Sequence, residues 1–320
     1  MVRQRSPNNM VFARRVALAG IASVGWHFVP SNRMAFGRTI HIAFSTMILI
    51  FAAFGLPLDT PAVTILTCSA ILLLGLPHGT FDLALIKQAY VDQQLPAIIG
   101  LYLFGALAMY VLWHTAAGLA LLLFFILSII HFAEDWSGKL PPFLAHGTAT
   151  AMLSVPALLH QDVIGSLFEV LVGGDTSQIF AAVAVLIAPV ALATAAAATV
   201  TLWIDGRRSD ASATAVALCA MIFLPPLVGF ALFFCLMHSP AQFAAAQQTL
   251  DWQKFRQWVP VVLPLTGVAL GIAAFVFATF GSVTFTGTMI ATAFMTLSIL
   301  TLPHLAVPII VERLSSRATA

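Results

Sequence analysis

Nine histidines stand in a chain of 320 residues that has only 14 basic and 12 acidic side chains. Four of them, His78, His131, His238 and His304, lie toward the C-terminal ends of long apolar runs. An imidazole inside a membrane helix is costly unless partnered, and neutral imidazole is the commonest transition-metal ligand. The surrounding residues are alike. Leu76-Pro77-His78-Gly79-Thr80-Phe81-Asp82 and His131-Phe132-Ala133-Glu134-Asp135-Trp136 both place an aspartate four residues after the histidine. That is one helical turn along on the same face. Asp82 and Asp135 are therefore expected to accept the second N–H of His78 and His131, fixing each tautomer and raising basicity toward a metal. Leu302-Pro303-His304 repeats the Leu-Pro-His of 76–78, and His238-Ser239-Pro240-Ala241-Gln242 again has a polar group at the fourth position. One such histidine is ordinarily a hydrogen-bonded bundle residue. Four at matching depth point to a metal or proton site.

The other five histidines lack such company. His27 and His41 flank a basic N-terminal region and read as interfacial, His114 and His160 fall at external helix ends, and His146 is a reserve candidate near the same side as the four. Transport chemistry fits poorly, because no acid lies at the centre of an apolar run and no repeat relates the halves. H-x-x-x-H boxes, a P-loop, a G-x-S-x-G elbow and H-E-x-x-H are all missing, which excludes the chemistries they serve. The best match is an all-histidine, mononuclear, non-haem iron centre, since imidazoles suit iron and open positions accept O2.

The elements that must position these residues follow from composition. Sixty per cent of the chain is hydrophobic and 8 % is charged, about a third of the roughly 25 % usual in a soluble domain. So few charges cannot clothe a soluble protein of this size. The net charge of +2 offers no electrostatic case for a nucleic-acid partner. Cys68, Cys219 and Cys235 make no C-x-x-C and read as small core residues.

Apolar runs fall near 39–56, 62–79, 96–113, 115–132, 141–160, 178–203, 211–225, 227–245, 259–280 and 286–306. Lipid cannot satisfy open backbone groups, so each should be helical. The expectation is an all-α, polytopic transmembrane bundle of eight to ten helices. Residues 1–38, with six arginines and no acid, form a basic cytoplasmic or interfacial segment. Residues 39–312 form one membrane domain, and 313–320 a short cytoplasmic tail. With the N-terminus cytoplasmic, every Lys and Arg falls on one side, while Asp162, Glu169 and Asp175 occupy an external 161–177 loop. That places the chain in the cell (plasma or inner) membrane.

The ordered motifs resemble the Brp/Blh family of bacterial and archaeal membrane β-carotene 15,15′-dioxygenases. They are Pro77-His78-Gly79 with Asp82, Ser128-Ile129-Ile130-His131-Phe132 with Asp135, His238-Ser239-Pro240, and Thr301-Leu302-Pro303-His304. The resemblance implies an Fe(II) centre and cleavage of the central double bond of β-carotene by O2 into two retinals for a rhodopsin. Carried across, His78, His131 and His238 look like iron ligands and catalytic residues, with Asp82 and Asp135 behind them. The family usually has a further histidine four residues after the third; here that position is Gln242. Either His304 completes the metal site or a coordination position stays open. Phe81, Phe132, Trp136 and Phe243 lie within five residues of these histidines, where ordinary packing explains them as well as substrate contact. Three other readings stay in view: a non-catalytic carotenoid- or retinal-binding partner of a rhodopsin, a paralogue acting on another carotenoid, and a small transporter.

Overall fold

A computed structural model of the chain describes residues 32–89, 95–252, 254–280 and 284–318. Residues 1–31, His27 among them, lie outside the described residues. All regular structure among the described residues is helical. Helix α1 spans Asn32–Ala53, beginning ahead of the expected residue 39. After it, α2 (Pro61–Ala70) opens on the Thr60 side chain, which accepts from the Val63 N–H. It continues through a π-helical turn, Ile71–Gly75, and a 3₁₀ segment, Leu76–Phe81, into α3 (Asp82–Ala89). Helices α4 (Leu95–Thr115) and α5 (Ala117–Ala133) form a hairpin, and α5 ends in a 3₁₀ turn, Glu134–Trp136.

Next come α6 (Pro142–Ser154) and α7 (Gln161–Val172), followed by α8 (Gly174–Ile204) and α9 (Arg208–Phe223). Helix α10 (Pro226–Phe233) passes through a second π turn, Phe234–His238, into α11 (Ser239–Thr249). Helices α12 (Phe255–Thr279) and α13 (Phe285–Ala318) close the bundle. Among the described residues eight helices are long and apolar enough to cross a bilayer. The chain is a multi-pass membrane protein.

Two expected spans take other forms. The run at 141–160 becomes α6, which is bent by 108° against α7. The segment read as an external loop is therefore helical over Gln161–Val172. Its buried Ile164, Leu167, Phe168 and Leu171 make one apolar stripe, the pattern of a helix lying against a bundle. The run at 211–225 is the 16-residue α9, shorter than the eight long helices. Pro225-Pro226 then marks a turn, since Leu224 is extended and α10 starts afresh at Pro226. Gly229 is required there, because a Cβ would stand 2.8 Å from the Ala220 carbonyl oxygen.

Lipid is as apolar as the helices it surrounds, so packing and buried hydrogen bonds hold the bundle together. Small residues supply the packing. Ala181, Ala184, Ala188, Ala191, Ala195 and Ala198 line the buried side of α8, which packs on α6. The polar tips of large buried residues find partners: Trp113 donates to Ser298 (2.8 Å) and Trp136 to Thr214 (3.0 Å). At one end of the bundle Asp210 of α9 accepts from Arg38 of α1 and from Lys139 (3.1 Å). Lys139 also donates to the Asp135 carbonyl at 2.8 Å.

Candidate metal centre

The two π turns create the site. Winding changes in the α2 and α10 spans leave carbonyls displaced from their regular partners, and the spans satisfy each other. Ser239 donates to the Leu74 and Gly75 carbonyls (3.0 and 3.2 Å), and Cys235 to that of Ala70 (3.4 Å). The fit depends on Gly75, where a Cβ would lie 2.1 Å from the Phe234 ring. His238 ends the second π turn and is fully buried. His78 belongs to the 3₁₀ segment after the first; its side chain lies outside the described residues.

His131 on α5, His238 and His304 on α13 converge. The His131 ring stands 4.7 Å from that of His238 and 4.8 Å from that of His304, edge-on to both. Nε2 of His238 lies 3.1 Å from Nε2 of His131. Each ring has a carboxylate at its other nitrogen. His238 Nδ1 donates to Asp135 (2.9 Å), His304 Nδ1 to Asp82 (2.6 Å), and His131 Nδ1 stands 3.3 Å from Glu134.

At Asp135 this pairing corrects the expected one, while the His78 side chain expected beside Asp82 lies outside the described residues. Asp135 serves His238, and its expected partner His131 faces Glu134 instead; Asp82 serves His304. The cause is local winding. Just after His131 the α-helix tightens into a 3₁₀ turn, in which side chains eclipse at i+3. Glu134 therefore stays beside His131, while Asp135 swings across to the α10 span. Sequence reasoning passed over Glu134 because the spacing it used was the α-helical i+4.

Gln242, at the position where the family usually has histidine, donates to the second oxygen of Asp135 at 3.2 Å. Tyr102 reaches Asp82 through a long hydrogen bond of 3.4 Å, a cross-helix contact with no local signature. His41 is buried in α1 between Ser45 and the Ala213 carbonyl, a correction to its interfacial reading. His146 is exposed and bonded to the Pro142 carbonyl, apart from the buried cluster. His114 packs against Tyr110 and Phe280.

The donor chemistry suits a transition metal. Two nitrogens bound at ~2.1 Å to one ion at right angles stand about 3 Å apart, close to the His131–His238 separation. Carboxylates at the far nitrogens are the usual support of metal-bound imidazoles. For all three rings to offer Nε2 lone pairs, His131 must carry its proton on Nδ1, the atom facing Glu134. Among the described residues no three acidic, histidine or cysteine side chains already form a ready-made cage; a cation would replace the His131–His238 hydrogen bond.

A cavity of about 230 Å³ opens beside His131 and His304. Its walls are apolar apart from Thr80, Asp82, Tyr102, Ser128 and Thr301. Phe132 lines it and packs edge-on to His238 at 4.7 Å. Phe81 and Phe243 instead pair with each other (4.7 Å), and Trp136 stacks on Phe233.

Comparison with known proteins follows this geometry. A curated β-carotene 15,15′-dioxygenase of uncultured marine bacterium 66A03 is 27 % identical over 252 residues, covering 73 % of this chain and 89 % of that protein. No solved structure matches the chain. The family model for β-carotene 15,15′-dioxygenase matches residues 69–311, a stretch containing all four histidines, so the chain belongs to that family.

Proposed function

We propose that this protein cleaves the central 15,15′ double bond of β-carotene with O2, yielding two molecules of all-trans-retinal. One observation carries the reading: three imidazoles from three separate spans meet, each with a carboxylate beside its other nitrogen, and two of them, His131 and His304, line a largely apolar cavity. Family membership and the curated relative's name support the substrate and the bond. His131, His238 and His304 would hold Fe(II), with His78 as a fourth candidate. Bound iron supplies what no side chain has, a centre able to activate O2. The reaction balances with one O2 per carotenoid, since each carbon of the broken bond takes one oxygen atom.

The chain's own residues set the stage. Asp135 and Asp82 would hold the Nδ1 protons of His238 and His304, and Glu134 stands beside Nδ1 of His131, so that with a metal bound each ring would turn its Nε2 lone pair to the ion. Gln242 anchors Asp135 and is not itself required as a ligand. Phe132 and the aliphatic walls exclude water and grip a polyene that has no polar handle. The arginine-rich N-terminus is assigned to the cytoplasmic side of the cell membrane, and the retinal to a rhodopsin.

The test is chromatography of extracts from a β-carotene-producing bacterial host expressing the chain. Retinal is expected from the native protein, with none from His131→Ala or His304→Ala, and purified native protein should retain iron that the variants lose. Unchanged β-carotene with pigment bound to native protein would favour the binding-protein reading.

A further inference from the structure

We propose that the carotenoid reaches the cavity sideways from the bilayer, through a portal between α4 and α12. The inference rests on the proposed function for its occupant. Leu103 of α4 and Val268 of α12 both line the cavity, yet they are 62 % and 59 % exposed. A side chain that faces both the cavity and the outside marks the rim of an opening. Both residues fall in the middle of their helices, at the depth of hydrocarbon.

The packing explains why the wall opens there. Helices α4 and α12 each lean on α13 and scarcely touch one another. At Gly105 helix α4 packs close on α13, where a Cβ would stand in contact with Pro303 at 3.4 Å. The two helices meet through Tyr110–Phe275 (5.5 Å) and His114–Phe280 (4.9 Å), both toward their C-terminal ends. Among the described residues no ring pair joins them below that clamp. The N-terminal half of α12 also contains Pro260 and Pro264, which lack N–H donors and weaken the helix.

The rim chemistry selects the occupant. Leu103, Val268 and neighbouring Ile99 and Leu265 carry no polar group, so a lipid headgroup or an aqueous solute gains nothing by crossing. A long polyene dissolved in the bilayer already lies at this depth and moves between two apolar media with little desolvation change. The opening leads directly to His131 and His304, so a chain threaded through it presents its interior bonds to the cluster.

The experiment compares native protein with the Leu103→Trp/Val268→Trp double variant, using Leu186→Trp on α8, 76 % exposed, as a control. Liposomes containing β-carotene are mixed with each protein, and two quantities are followed: pigment bound without oxygen, and retinal formed with it. The double variant is expected to load and cleave about tenfold more slowly, with unchanged melting temperature and metal retention, while the control matches native protein. The reverse pair, Leu103→Ala/Val268→Ala, is expected to load faster. Native-like loading by the folded Trp variant overturns the portal, as does slowed loading in the control. Native protein that loads pigment but never makes retinal sinks the proposed reaction, and the loading rates still decide the portal. Liposome lipid filling the cavity, with no pigment loaded by any variant, overturns both.

Discussion

At the scale of single residues, the site depends on which carboxylate holds which ring. Asp135 uses one oxygen for His238 and the other for Gln242, so its orientation is set from both sides. Removing a group that supports a metal-bound imidazole commonly costs 10–100-fold in affinity or activity. Gln242→Ala is therefore expected to weaken iron retention about tenfold. Gln242→Glu should do worse, because it sets a second carboxylate against Asp135. Metal titration of the purified variants checks both; equal retention in all three proteins would remove Gln242 from the site. His131, His238, His304 and both aspartates, which the fold brings together, stood out in the sequence because their types and depth were unusual. Their pairing was not legible: the i+4 rule assumes regular α-winding, which the 3₁₀ turn after His131 breaks.

At the scale of elements, the decisive features are the interruptions in otherwise apolar helices. The π turns at Ile71–Gly75 and Phe234–His238 lie against each other with the Phe234 ring on Gly75. Gly75→Ala is expected to destabilise by about 1–3 kcal/mol, as overpacked cores do. The melting temperature should fall, and Phe234→Leu in the same chain should restore part of it. Pro77 and Pro240 each fall two residues after one of these turns, but a π turn has no sequence signature of its own. Helix α7 was the reverse case: its stripe of Ile164, Leu167, Phe168 and Leu171 was readable, yet the acids around it argued for a loop.

The ion cluster at the end of the bundle joins three elements and gives a pH signature. Burial alone would raise the Asp210 carboxyl, but Lys139 and Arg38 outweigh it and hold it below its ordinary value. A carboxyl lowered by folding stabilises above its unfolded pKa, about 4, and that contribution is lost as pH falls through the folded value. The native melting temperature should therefore drop on acidification below about pH 4 more steeply than that of Asp210→Asn. Parallel curves would deny the cluster a stabilising role.

At the scale of the whole molecule, the meeting of Arg38, Lys139 and Asp210 sets the start of α1, the segment after α5 and the start of α9 on one side of the bundle. The proposed orientation puts that side in the cytoplasm. Reporter fusions after Asp205 and after Ala320 are expected to report the same, cytoplasmic, side, and a fusion within 54–60 the opposite one; any other pattern would reverse the orientation.

The sequence by itself determined that the chain is a helical membrane bundle, because run length against bilayer thickness and the cost of open backbone leave no other solution. It also singled out His131, His238 and His304, which the fold brings together, since a rare polar group in hydrocarbon must have a partner. Only the tertiary structure decided that Asp82 meets His304 and Asp135 meets His238, and that α4 and α12 scarcely touch beside the cavity. Those outcomes follow from the crossing of helices distant in sequence and from turns wound more tightly or loosely than 3.6 residues. Such long-range packing leaves no mark in any one stretch of chain.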